Sequence, residues 1–194
     1  MRRHEDKREK RKKLFMSLFI VAIMTLSVLG YMIGRDSEDR LEYNDFKFIR
    51  INNKFVTKIN NKDVMFDYFP PQIENINISD VIIEKIKNNI QIDVTSDVDG
   101  RYKEAIALSQ FEFAEALLLN NQFVRDGFTT ENEFNKPIIT CNDATDSVTV
   151  IMFEKSNETI VYEKDNCIIL KAKSEQDFIA LKDRILYGVF EIIS

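Results

Sequence analysis

The sequence predicts an α/β protein in which an N-terminal transmembrane helix precedes one α/β sandwich domain with a mixed sheet. Three observations predict it: an uncharged run over residues 14–34 behind a basic tail, short β-branched and aromatic runs separated by Asn-rich turns, and helical apolar periodicity after residue 101 and again after residue 174.

The run LFMSLFIVAIMTLSVLGYMIG is 21 residues long. At about 1.5 Å per residue it matches a hydrocarbon core of about 30 Å. The tail 1–13 before it carries eight Lys and Arg against Glu5, Asp6 and Glu9. By the positive-inside rule this tail stays in the cytoplasm and the C-terminal part lies outside the cell membrane. A cleaved secretory signal has an apolar core of about 7–15 residues and a small-residue exit, which the segment 28–34 lacks. Arg2-Arg3 is separated from the run by further charges, unlike a twin-arginine export signal. The bilayer is thus the expected partner of 14–34, with 35–43 (RDSEDRLEY) a charged tether and 44–194 the extracytoplasmic domain.

The whole chain has a formal charge of −5, and removing the basic tail leaves about −10 on residues 35–194. A basic face for nucleic acid is therefore not expected. Some 160 residues with abundant Ile, Val, Leu and Phe suffice for one domain with a real core.

Within that domain, 46–51, 55–59 and 64–69 read as three strands of a meander over 44–69, because Asn52-Asn53 and Asn60-Asn61 tolerate the positive φ of tight hairpin turns. Pro70-Pro71 ends the third strand. Ser79 and Asp80 open a short helix with Ile82, Ile83 and Ile86 on one side, and 90–94 is the next strand. The segment 102–124 reads as the longest helix of the domain. Tyr102, Ile106, Ser109, Phe113 and Leu117 form its apolar stripe, widened by Ala107, Phe111, Ala114 and Leu118, with Glu104, Glu112 and Glu115 on the wet side. Gly127 stops that helix, and 137–141 is a strand completing a crossover. Strands over 148–153, 159–162 and 167–172 form a second meander. Ser174 with Asp177 starts a last helix lined by Phe178, Leu181, Ile185, Val189 and Ile192. The order is β-β-β-α-β-α-β-β-β-β-α, with the α/β core over 79–194.

The only histidine is His4, so the outer domain has no imidazole for a catalytic triad or a His-type zinc site. Gly100, Gly127 and Gly188 are too scattered for a phosphate-cradling loop. Cys141 and Cys167 are the only cysteines, and an oxidising exterior favours a disulfide between them over two buried thiols. The acidic loops 95–100 (TSDVDG) and 142–146 (NDATD) each follow a strand. If those strands are parallel neighbours, Asp97, Asp99, Asp143 and Asp146 share the carboxyl edge of the sheet, the usual ligand position of open α/β folds. Asp93, Asp97 and Asp99 offer oxygen ligands of the type a hard cation needs, although helix capping by Asp97 and Asp99 accounts for the same residues. Asn77 and Asn157 head glycosylation triplets. Gly30 and Gly34 form a GxxxG suited to close helix approach in a membrane.

Asp97-Val98-Asp99-Gly100 resembles the start of haloacid-dehalogenase-like phosphotransferases, but Arg101 stands where that family has Thr, and Thr95-Ser96 replaces its apolar approach. In the last third, Ile139-Thr140-Cys141-Asn142-Asp143-Ala144-Thr145, Asn166-Cys167-Ile168-Ile169-Leu170 and Asp183-Arg184-Ile185-Leu186-Tyr187 together resemble small single-pass, surface-facing membrane proteins of archaeal lineages. That resemblance implies no activity. It implies that the cysteines and the Asp-Arg-x-x-Tyr helix are framework features.

These readings lead to a membrane-anchored extracytoplasmic interaction or envelope-structural module whose partner is a protein or a surface polymer, with no catalytic residue and no cofactor expected. The competing expectations are a carboxylate-based, cation-dependent enzyme or binder using the acidic strand-end loops, and a subunit of a membrane assembly that packs through Gly30 and Gly34.

Overall fold

The computed structural model describes the backbone of residues 2–34 and 40–193 and the side chains of 12–28 and 40–193. Among the described residues it is a mixed α/β protein with five helices and two sheets, divided into two compact units at Arg40 and Leu41. Residues 35–39 of the expected tether, most of the basic tail's side chains, and Gly30 and Gly34 lie outside the described side chains.

The first unit is helix α1 (Arg2–Gly34). All its described side chains are exposed, including Leu14, Phe15, Leu18, Phe19, Ile23 and Leu26. Thr25 donates its hydroxyl back to the carbonyls of Val21 and Ala22, so even this polar group is satisfied inside the helix. Among the described residues no helix is long and apolar enough to cross a membrane. The apolar stretch with described side chains, 14–28, is about 22 Å long at 1.5 Å per residue. The expected transmembrane span over 14–34 is therefore unsupported among the described residues, and the side chains of its last turns, 29–34, fall outside what is described.

The second unit begins with four neighbouring strands rather than three, β1 (Arg40–Tyr43), β2 (Phe46–Ile51), β3 (Lys54–Ile59) and β4 (Lys62–Phe66), in that order across the sheet, with β3 antiparallel to both β2 and β4. Asn52, Asn53, Asn60 and Asn61 all have φ between 48° and 65°, the conformation a two-residue hairpin turn demands. Pro70 and Pro71 do more than stop a strand. They open a one-turn helix, α2 (Pro70–Ile73), with the Gln72 side chain accepting from the Phe69 N–H at 2.6 Å. Helix α3 (Asp80–Asn88) follows and buries Ile82, Ile83 and Ile86.

The second sheet holds β5 (Gln91–Ser96), β6 (Phe123–Phe128), β7 (Val148–Lys155), β8 (Ile160–Lys164) and β9 (Cys167–Ala172) in the order β6-β5-β7-β9-β8. Strands β6, β5, β7 and β9 are parallel, and only β8 is antiparallel. Helix α4 (Lys103–Leu118) connects β5 to β6 and is shorter than the sequence suggests, because 123–128 leaves the helix to form β6. Gly127 is thus not a helix stop. A Cβ there would stand 2.5 Å from the Pro137 carbonyl oxygen and 2.7 Å from Ile139 Cδ1, so glycine admits the chain that crosses behind it. That crossing segment replaces the expected strand 137–141. It touches β6 through a single bridge, Phe128 to Ile138, and ends in a 3-10 turn (Cys141–Asp143). The expected second meander is also revised, since β7 pairs with β9 and the chain passes over β9 to place β8 at the edge.

Helix α5 (Glu175–Val189) is the centre of this unit. Every residue from Ala180 to Val189 is buried, so both faces are covered. Tyr187 stacks on Phe66 with ring centroids 4.2 Å apart and meets Phe48 edge-on, while α5 also contacts β9, α3 and α4. One apolar cluster consequently runs from the four-stranded sheet through the helices to one face of the five-stranded sheet. The other face of that sheet is covered by the crossing segment, with Ile139, Val150, Cys167 and Ile169 as a smaller core. Cys141 and Cys167 are joined there by a disulfide, Cα to Cα 5.2 Å. The bond pins the crossing segment to the start of β9.

Candidate functional site

The parallel pairing decides where the acidic loops lie. Asp97 and Asp99 follow Ser96 at the carboxyl end of β5, which pairs with Phe153 late in β7. Asp143 and Asp146 precede Val148, which pairs with Gln91 at the opposite end. The two loops are therefore separated by the length of β5, and the structure does not bring the four carboxylates together. Asp97 accepts from the Asp99 N–H at 3.1 Å, a local turn. Neither residue caps α4, whose N-cap is Tyr102 at φ 70° with no side-chain bond. Asp143 closes its own 3-10 turn by accepting from the Thr140 N–H at 2.7 Å, and Asp146 is exposed. Asp93 is fully buried on β5 and ion-paired with Arg125 of β6, which raises the arginine above its ordinary value. Among the described residues no group of three or more His, Cys, Asp or Glu is disposed to hold a metal ion. Asn77 and Asn157 are exposed, in the loop before α3 and the turn after β7.

A denser cluster of charge is buried between the four-stranded sheet, α4 and α5. Lys182 Nζ, with no exposure, lies 2.9 Å from Asp67 Oδ2 and 2.9 Å from Asp183 Oδ1, and also bonds Glu112. Lys54 from β3 bridges Asp67 and Glu112. Asp183 Oδ2 accepts from the backbone N–H groups of Asp67 at 2.7 Å and Tyr68 at 2.9 Å, while its Oδ1 is paired with Lys182 by charge alone, without a hydrogen bond. Tyr187 donates its hydroxyl to the Tyr68 carbonyl at 2.6 Å. Burial opposes the charge on Lys182, but the facing Asp183, Glu112 and Asp67 outweigh it and hold the ammonium above its ordinary value. Burial also pushes Asp183 up to about 6, against the pull of Lys182 and of the Tyr68 N–H. For Asp67 burial loses, and Lys182 and Lys54 keep it below the usual carboxylate range. Three carboxylates against two ammonium groups explain the split, since one acid must carry the excess negative charge and Asp183 is the deepest. Glu112, placed on the wet side by periodicity, belongs to this network. So do Lys182 and Asp183, which stand with Arg184 as a run of three charges inside an apolar helix. Because Lys182 is held charged and enclosed, the cluster locks α5 to β3, α4 and the β4–α2 turn rather than offering a nucleophile.

Elsewhere a groove of about 550 Å³ lies between α4 and β6. Val98, Ala107, Phe111, Ala114, Val124 and Phe134 line it. Phe111 and Phe134 are more than half exposed, and Leu108 and Leu118 extend the same apolar surface along α4. The residues expected to widen the helix's core stripe thus face outward with nothing over them. Gln110, 8 % exposed, also lines the groove, and its amide nitrogen has no partner among the described residues. Comparison with family models, with curated proteins and with solved structures finds no match for this chain.

Proposed function

We infer that this protein is a membrane-anchored, extracytoplasmic interaction module, with 14–34 in the bilayer and the domain from Leu41 onward presented outside to bind a protein or surface polymer. The observation that carries the reading is α1: from Leu14 to Val28 its side chains are all exposed and, apart from Ser17, Thr25 and Ser27, apolar, a state water disfavours and lipid accepts. The basic tail sets the direction. The Cys141–Cys167 bond suits an oxidising exterior. The exposed apolar face of α4 beside the groove supports binding, while the separation of Asp97 and Asp99 from Asp143 and Asp146 lends nothing to a carboxylate-based enzyme.

Protease added to intact cells tests this. The reading requires loss of the domain with the tail 1–13 protected and recoverable by N-terminal sequencing. A mature N-terminus near Gly30 or Arg35, or a domain protected until the cells are broken, overturns it.

A further inference from the structure

We propose that the groove between α4 and β6 is the seat of a missing strand, so that an extended segment of a partner polypeptide with apolar residues at alternate positions adds to the open edge of β6. The proposal rests on the reading of the outer domain as an interaction module and names the partner's form and the edge it occupies.

The backbone of β6 states the requirement. Phe123 N–H donates to the Ile90 carbonyl and Thr129 N–H to the Ser96 carbonyl, so the odd-numbered residues bond β5. In a parallel ladder the even-numbered residues then point their N–H and C=O groups away from β5. Phe128 shows this directly: its N–H donates to the Pro137 carbonyl at 3.0 Å, and its carbonyl accepts from the Ile139 N–H at 2.8 Å. The crossing segment therefore already occupies one end of this edge in strand register. It leaves the edge at Lys136, which ion-pairs with Asp126, and among the described residues no backbone hydrogen bond engages the outward N–H and C=O groups of Val124 and Asp126. Four main-chain groups at strand spacing remain open.

The side chains around that edge fit the same occupant. Val124, Asp126 and Phe128 face the α4 side of the sheet, and α4 overhangs the edge with Ala107, Phe111 and Ala114 above the groove instead of above a strand. A strand laid beside β6 would place every second side chain under α4. That is the alternation by which edge-strand addition obtains affinity from the main chain and selectivity from pockets. The Gln110 side chain also lines the groove, and its Nε2 is enclosed without a partner among the described residues. A bilayer would satisfy the apolar side chains but not the four backbone groups, and a surface polymer lacks the amide spacing.

The test is display selection of a random twelve-residue peptide library on the full chain in detergent, with counter-selection on Ala114→Trp, which fills the groove, and on Val124→Pro, which removes one outward N–H while leaving the β5 ladder intact. Thermal melts of both variants check folding, and Ala114→Trp alone serves if Val124→Pro does not fold. Expected are peptides with alternating apolar residues that lose binding at least tenfold to either variant, and at least tenfold when alternate amides of the peptide are N-methylated. Selected peptides that bind the N-methylated form equally well, or no peptides sensitive to the groove variants, overturn the proposal. So does a concentration-dependent dimer that occupies the edge in place of peptide. Photo-cross-linking from position 134 in the native membrane separates the two claims: cross-links to outer proteins unchanged by Ala114→Trp leave the interaction module standing without this edge, and absence of any cross-link from this or other faces removes the module itself.

Discussion

Replacing Lys182 by Met removes the one positive charge facing Asp183 while conserving most of the buried volume. Lys182 and Asp183 have no exposure, whereas Asp67 and Glu112 retain some and keep Lys54 as a partner, so the damage concentrates on Asp183. Breaking a buried pair by removing one member costs about 3–5 kcal/mol. For a domain of this size that is a fall in melting temperature of roughly 6–20 °C. The pH dependence identifies the cause. Asp183 stands at about 6 in the fold against an ordinary value of 3.8, so the folded state holds its proton more tightly than the unfolded chain. Its contribution therefore improves stability as pH falls through 6 and diminishes it as pH rises, by about 3 kcal/mol across the interval. Without Lys182 this value moves further up. The variant should lose most at pH 8 and markedly less at pH 5. Urea unfolding of the full chain in detergent, followed by far-ultraviolet circular dichroism at both pH values, measures it. Adding Asp183→Asn, which keeps an acceptor for the Asp67 and Tyr68 N–H groups, should restore at least half of the loss at pH 8. A loss below about 1 kcal/mol, or equal losses at pH 5 and pH 8, refutes the reasoning.

Two further outcomes follow from the structure. Denatured, unreduced protein should present no reactive thiol, and replacing both Cys141 and Cys167 by Ala should cost about 3–4 kcal/mol, from the loop closed over a separation of 26 residues; two titratable thiols before reduction would contradict the bond. Asp97→Asn with Asp99→Asn should change stability by no more than about 0.5 kcal/mol, because both side chains are exposed and neither caps α4. A calcium-dependent rise in melting temperature present in the wild type and absent in that double variant would instead reveal a cation site.

The elements legible in the sequence are those whose cause is local. Asn52-Asn53 and Asn60-Asn61 announce hairpins because positive φ is a property of the residue itself, and Ser174 caps α5 through the Asp177 N–H, three residues on. The misread elements depend on partners distant in the chain. Phe123 and Val124 read as the end of the helix over 102–124, yet parallel pairing with β5 makes 123–128 a strand. Residues 137–141 have strand composition but cross the sheet's outer face, where the disulfide and Ile139 hold them. The same limit hides both candidate sites. Helical periodicity identifies Ala107, Phe111, Ala114 and Leu118 as apolar neighbours without saying whether anything covers them, and the charges of Lys54, Asp67, Glu112 and Lys182 converge only after a sheet and two helices have assembled.

The two edges of the five-stranded sheet are treated unequally, and that inequality bears on function. Any open edge invites pairing with another chain, so natural edges are shortened, charged or covered. Strand β8 is five residues long, ends in Glu163 and Lys164, and is tied to α3 through the bond from Lys85 to Glu163. On β6 the crossing segment covers Phe128, and Arg125 and Asp126 supply charge, but both charges are already committed, to Asp93 and Lys136. Neutralised charges repel an incoming strand weakly. What remains open is short, Val124 to Asp126, flanked by Ala107, Phe111 and Ala114 of α4, with Lys103, Glu104 and Lys136 also lining the groove. An edge this brief limits indiscriminate stacking, because two residues of main-chain pairing are weak alone. Side chains that fit beneath α4 must supply the rest, which makes the edge selective for a particular sequence.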